Sequence, residues 1–152
     1  MTTLWIGLGN SLRRDDGVGA RAAEILAAEG LRARAVFQPL PELALEIAAV
    51  QRVVFLDADL DDAPGVVRQR RIAPAADPEG GHRLDVPGLL ALAARLARRG
   101  PEAWIVSIGI LDVDAGEGFS TPVAAGFGEF LDCARHLAVT PSASHAARTH
   151  HG

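Results

Sequence analysis

Two adjacent aspartates, Asp15 and Asp16, stand in the stretch LWIGLGNSLRRDDGVGARAAEIL, Leu4 to Leu26, between an apolar run ending in Gly7-Leu8-Gly9 and an amphipathic segment. Strand, glycine turn and helix outline a nucleotide-binding turn, yet the carboxylates would meet phosphate oxygens with like charge. A dinucleotide fingerprint also needs a third glycine where Leu12 stands and usually an acidic residue closing the second strand, which here runs out through Phe37, Gln38 and Pro39. The chain has no lysine, which removes a Walker-type phosphate loop and Schiff-base chemistry. Two readings of the doublet remain. Either the carboxylates cap a helix, where exposed N–H groups and the macrodipole stabilise each by roughly 0.3–1 kcal/mol, or they do chemistry.

Two further residues bear on that choice. Asp57 closes the apolar run Val53–Leu56, with Asp59, Asp61 and Asp62 behind it, and His82 precedes a leucine-rich segment. Ligands of open α/β sheets bind outside the carboxyl ends of the strands, where strand order reverses. If the first and third strands are neighbours, Asp16 and Asp57 emerge at that crevice, and His82 can approach the same edge. Two carboxylates and one imidazole suit a divalent transition metal with coordination positions left open. Each has a plainer role as well: Asp57 as a solvated strand end, His82 as a cap or packing residue. Asp57-Ala-Asp59 also has the form of a phosphotransferase aspartyl pair, but on the wrong strand and without a lysine. No Gly-x-Ser-x-Gly elbow is present for serine chemistry. His136, His145, His150 and His151 fall in the last helix or the tail.

The elements that must position these groups read as alternating strands and helices. Strands are expected at Leu4–Leu8, Ala35–Gln38, Val53–Asp57 and Trp104–Ile110, with Val66–Ile72 alternating apolar and basic residues like an edge strand. Helices are expected from Val18 to a stop at Gly30, over Pro41–Val50, over Pro87–Arg99 after an Asp85 cap, and from a Ser120 cap to about Leu137. In these helices Leu43, Ile47, Leu89, Leu92, Leu96, Phe127, Phe130 and Cys133 are expected to face inward. The fold expected is a three-layer α/β/α sandwich with a mostly parallel, flavodoxin-like sheet of about five strands. Residues 1–138 form one domain, and 139–152 read as a disordered tail.

The bulk numbers agree with a soluble globular domain. Of 152 residues, 49% are hydrophobic and 22% charged, and the formal charge of −4 gives no electrostatic footprint for nucleic acid. The single cysteine excludes an internal disulfide or a thiolate cluster. The absence of a signal-peptide pattern and of any apolar run of spanning length predicts a cytoplasmic protein without a membrane segment.

Taken in order, the motifs resemble one family, the endopeptidases that mature nickel–iron hydrogenases. Gly7-Leu8-Gly9-Asn10-Ser11-Leu12-Arg13-Arg14-Asp15-Asp16-Gly17-Val18-Gly19 is similar to its first signature, Val54-Phe55-Leu56-Asp57-Ala58 to its second, His82-Arg83-Leu84 to its third and Gly116-Glu117-Gly118-Phe119-Ser120-Thr121-Pro122 to its fourth. Gln38-Pro39-Leu40-Pro41-Glu42-Leu43 looks like the branch serving cytoplasmic, multisubunit hydrogenases. The resemblance covers nearly all of residues 4–137. It implies removal of a C-terminal extension from the hydrogenase large-subunit precursor after nickel insertion, the nickel being presented by that substrate. It also implies that the metal-contacting acid, aspartate and histidine are Asp16, Asp57 and His82, which are the catalytic residues expected here. The first is glutamate in some members, so Asp16 is one methylene shorter. Asp16 is the preferred general base, with helix N–H groups near Gly17 or Gly19 as oxyanion donors. The competing expectations are a non-catalytic nucleotide- or anion-binding flavodoxin-like module and a small-molecule metallohydrolase.

Overall fold

A computed structural model describes residues 1–76 and 84–139. Its five-stranded sheet has the order β2-β1-β3-β5-β4, formed by β1 (Thr3–Leu8), β2 (Ala33–Val36), β3 (Arg52–Asp59), β4 (Val67–Arg71) and β5 (Glu102–Gly109). The first four in that order are parallel, and β4 runs antiparallel along β5 at the edge. Because side chains alternate across a strand, β1 sends Leu4, Ile6 and Leu8 to one face and Trp5 to the other. β3 buries Val53 and Phe55 on the first face and Val54 and Leu56 on the second, as a central parallel strand covered on both sides must.

Four helices supply the two covers: α1 (Val18–Ala28), α2 (Leu43–Ala48), α3 (Val86–Leu96) and α4 (Thr121–His136). Leu43, Ile47, Leu89 and Leu90 of α2 and α3 close the first face; Val18, Leu26, Phe130 and Ala134 of α1 and α4 close the second. The result is the expected three-layer sandwich. At the amino ends of the strands a buried ionic cluster ties the layers together. Arg52 pairs with Glu102 and donates to the carbonyl of Leu137 just past α4. Glu102 also accepts from Trp104 Nε1 at 2.9 Å, while Trp5 Nε1 donates to the Ala134 carbonyl at 2.9 Å.

Local differences from the sequence reading have physical reasons. β2 begins two residues earlier than its apolar content indicated, because its parallel ladder pairs Ala33–Val36 with Trp5–Leu8 and stops where β1 stops. Phe37 therefore lies beyond the ladder and is 67% exposed, not packed in the core. In α3 the buried face is Leu89, Leu90 and Ala93, and Leu96, at the frayed last turn, is exposed. In α4, Phe127 and Cys133 are only partly buried, with Leu131 and Ala134 in the core beside Phe130. Asp85 caps α3 as expected, accepting from Gly88 N at 2.9 Å. The tail from 140 onward lies outside the described residues.

Candidate active site

The glycines at the end of β1 and beyond it serve backbone contact. A Cβ on Gly7 would lie 2.1 Å from the carbonyl oxygen of Gly19, and one on Gly19 would lie 2.2 Å from that of Leu56. Both positions must lack a side chain for α1 to settle directly over β1 and β3. Gly9 has φ +132°, and a Cβ there would stand 2.0 Å from the carbonyl oxygen of Asp16. The turn is thus pressed against a single 3₁₀ turn, Arg14–Gly17, that carries the acidic doublet. Asn10 N donates to Asp16 Oδ2 at 3.0 Å. The turn amide that a phosphate would use already holds a carboxylate of the chain itself.

Neither aspartate caps α1, whose N-cap is Gly17 without a side-chain bond. The two carboxylates have separate surroundings. Asp15 is fully buried and points to the loop between β5 and α4. It accepts from Leu111 N (3.0 Å), Asp112 N (2.9 Å), Ser120 N (2.7 Å) and Ser120 Oγ (2.6 Å). Burial pushes its pKa up, but the bonds from Ser120, Asp112 and Leu111 outweigh this and hold the carboxyl below its ordinary range. It sits at the amino end of α4, so the capping chemistry is real but belongs to a helix distant in sequence. Ser120 spends its hydroxyl on Asp15 and makes no side-chain cap of its own.

Asp16 turns the other way. With Asp57 it lines a cleft of about 340 Å³ completed by Phe37, Gln38 and Pro39 after β2 and by Leu84, Asp85 and Val86 at the start of α3. This is the switch point of the sheet: β1 continues to β2 on one side and β3 to β5 on the other. Burial raises the pKa of Asp57 to about 6; a bond from Ala58 N opposes the rise, and the negative charges of Asp16 and Asp59 add to it. Among the described residues lining the cleft there is no arginine to neutralise the pair.

The structure therefore brings Asp16 and Asp57 together. His82 lies outside the described residues, and so do His145, His150 and His151. Among the described residues no group of three metal-ligating side chains is assembled. Asp62 pairs with Arg68, and Asp59 accepts from Asp61 N at 2.9 Å, leaving these acids local roles. His136 ends α4 beside Leu137, whose carbonyl is bonded by Arg52 at the opposite end of β3. Gly17 and Gly19 are both buried, and a Cβ would meet backbone of Ser11 at the first and of Leu8 and Leu56 at the second. Sequence reasoning missed Asp85 as a cleft residue, having assigned it only as a cap, and missed Ser120 as the partner of Asp15. The Ser120-Thr121-Pro122 signature marked the position but not the direction of the hydroxyl.

Fold and site define a doubly wound α/β domain whose acidic pair opens at the switch point into a cleft. No protein-family model matches the chain, and no curated protein matches it in sequence. Among solved structures it is similar to the NiFe hydrogenase maturation protease HybD from Thermococcus kodakarensis, with 29% identity, TM-score 0.69, and coverage of 90% of this chain and 99% of that one. The hydrogenase maturating endopeptidase HybD from E. coli shares its fold at 21% identity and TM-score 0.64, over 88% of this chain and 90% of that one. So does the NiFe hydrogenase maturation protease HycI from Thermococcus kodakarensis at 17% and 0.68, over 87% and 88%. The solved structures that share this fold and coverage are thus named as nickel–iron hydrogenase maturation proteases, and the chain is similar to them over nearly all of its described length.

Proposed function

We propose that this chain is the endopeptidase that removes the C-terminal extension of a nickel–iron hydrogenase large-subunit precursor after nickel insertion, acting in the cytoplasm. The observation that carries the reading is the Asp16–Asp57 pair in the switch-point cleft, which no arginine among the described lining residues neutralises. Its electrostatics favour a substrate that brings a cation. Closing a protein surface over two carboxylates removes water from them, and without a counter-charge that desolvation opposes docking. A precursor carrying nickel supplies the charge; an empty precursor does not. The enzyme thereby distinguishes the two states by differential affinity. Asp16, Asp57 and His82 would meet the substrate's nickel, His82 on the strength of its signature and the two aspartates from the walls of the cleft.

For the hydrolytic step, Asp16 is the proposed base. Its Oδ2 is engaged by the Asn10 amide, which orients the carboxylate toward the cleft, and a water there would be deprotonated as it attacks the scissile carbonyl. A partner of protein size also fits the surroundings. Exposed Leu12, Phe37, Leu40, Leu60 and Leu111 each follow the carboxyl end of a parallel strand, so they border the same edge of the sheet as the acidic pair. Among the described residues no helix is long and apolar enough to cross a membrane. The nucleotide-module alternative meets an obstacle in the Asn10–Asp16 bond, which a phosphate would have to displace.

Intact-mass analysis of nickel-loaded precursor incubated with the protein tests this reading. One short C-terminal segment is expected to be lost with wild type, and His82→Ala is expected to slow that loss by about 10²-fold or more. An unchanged precursor mass, together with nucleotide-dependent thermal stabilisation of the protein, would replace it with the binding-module reading.

A further inference from the structure

The doublet divides its labour, and the half that never reaches the cleft has an unassigned role. Asp15 ties the 3₁₀ turn to the β5–α4 loop through its carboxylate, and the backbone reinforces the same seam. Asp15 N donates to the Asp112 carbonyl at 2.9 Å, Arg14 N to that of Gly116 at 3.0 Å, and Gly116 N to that of Leu12 at 2.8 Å. Arg14, held at φ +42°, pairs with Asp112 at 2.5 Å. Apart from the bond that Ser120 N makes at the start of α4, the helical layers are held elsewhere. α1 is seated through Gly7, Gly19, Val18 and Leu26, and α4 through Phe130 and Leu137 with the Trp5–Ala134 bond. What the seam fixes is the short turn that also carries Asp16.

We propose that Asp15, together with Ser120, is a positioning residue that locks the 3₁₀ turn so that the adjacent Asp16 carboxylate is held in the cleft beside Asp57. The physical reason is geometric. Consecutive residues of a 3₁₀ turn diverge by about a third of a turn, so burying and saturating one carboxylate fixes the direction of the next. Three of Asp15's partners are backbone N–H groups, which can only donate, and the Ser120 hydroxyl supplies the fourth bond. An asparagine there would turn amide hydrogens toward donors and release the turn, although its shape is the same.

The inference rests on the proposed peptidase activity for its kinetic arm only. Asp15→Asn and Ser120→Ala are made alone and in an Asp16→Asn background. Asp15→Asn is expected to lower kcat for precursor processing on the order of 100-fold, the penalty of a displacement near 1 Å, with little change in KM. Ser120→Ala is expected to give a smaller loss in the same direction, and Ser120→Thr, which keeps the hydroxyl, to restore it. In the Asp16→Asn background neither is expected to reduce the rate further, because the residue they act through is already gone.

The second arm needs no substrate. The Asn10 amide reports directly on the Asp16 carboxylate. Its NMR resonance is expected to move, and its hydrogen exchange to accelerate, in Asp15→Asn, while the amides of Leu26 and Ala134 keep their wild-type protection. Should Asp15→Asn fail to fold, Ser120→Ala is read in the same way. An unmoved Asn10 amide in a folded variant overturns the proposal, as does a rate loss fully additive with Asp16→Asn or confined to KM. If wild type does not process precursor, the functional reading fails by itself, and the Asn10 amide decides the positioning role.

Discussion

Asp16→Asn is expected to lower kcat for precursor processing by about 10²–10⁴-fold, the range found when a positioned acid–base group is removed. The substitution is isosteric, and its carbonyl oxygen can still accept from Asn10 N, which now donates to Asp16 Oδ2. The turn is therefore retained and only charge and basicity are lost. A second consequence has the opposite sign. With one carboxylate neutral, nickel-free precursor no longer closes over a like-charged pair, so the variant is expected to bind empty precursor more tightly than wild type does. Rate under single-turnover conditions, read by intact mass, and affinity, read by titration with empty precursor, measure the two effects separately. A variant that cuts at the wild-type rate removes Asp16 from the chemistry.

The second large effect concerns stability. Asp57→Asn is expected to make the folded protein more stable at pH 7.5, by up to about 3 kcal/mol, the free energy of displacing a carboxyl from its ordinary 3.8 to about 6. A raised pKa means that the folded state binds the proton more tightly than the unfolded chain does. Wild-type stability from this group therefore falls as pH rises from about 4 to about 6 and stays low above that, where Asp57 is charged in both states. Below about 4 both states are protonated and the difference vanishes. Asp15 contributes with the opposite sign, since its lowered pKa supplies stability that is lost on acidification. Comparing variant with wild type at each pH cancels that contribution. Urea denaturation at pH 7.5 and pH 3.5 provides the measurement. An advantage at pH 3.5 equal to or larger than that at pH 7.5 would show that burial and the Asp16 charge do not burden Asp57.

Much of the fold was legible because its signals are local. Val53–Leu56 is apolar at every position and β-branched or aromatic at three of four, which reads as a strand covered on both faces, and Val18, Ala22 and Leu26 recur with helical spacing. The convergence of Asp16 and Asp57 followed from a topological rule once β1 and β3 were taken as neighbours, which their ladder bears out. What was not legible depends on partners far along the chain. The register of β2 is fixed by where β1 ends, so Phe37 falls outside the sheet although its own sequence favours a strand. Asp15 and Asp16 look equivalent in sequence; Leu111, Asp112 and Ser120 separate them, and nothing near residue 15 announces those donors. Ser120 before a proline has the form of a helix cap, but the buried Asp15 competes for the same hydroxyl and wins because an ionised acceptor binds it more strongly. His82 rests on the third signature alone.

The direct measurement compares two preparations of one precursor, nickel-loaded and nickel-free, incubated with the wild-type protein under identical single-turnover conditions. Loss of the C-terminal segment from the loaded form only, with the empty form intact over the same interval, is the expected result. Equal rates of cleavage would contradict the account, because the Asp16–Asp57 pair would then have no part in reading the metal.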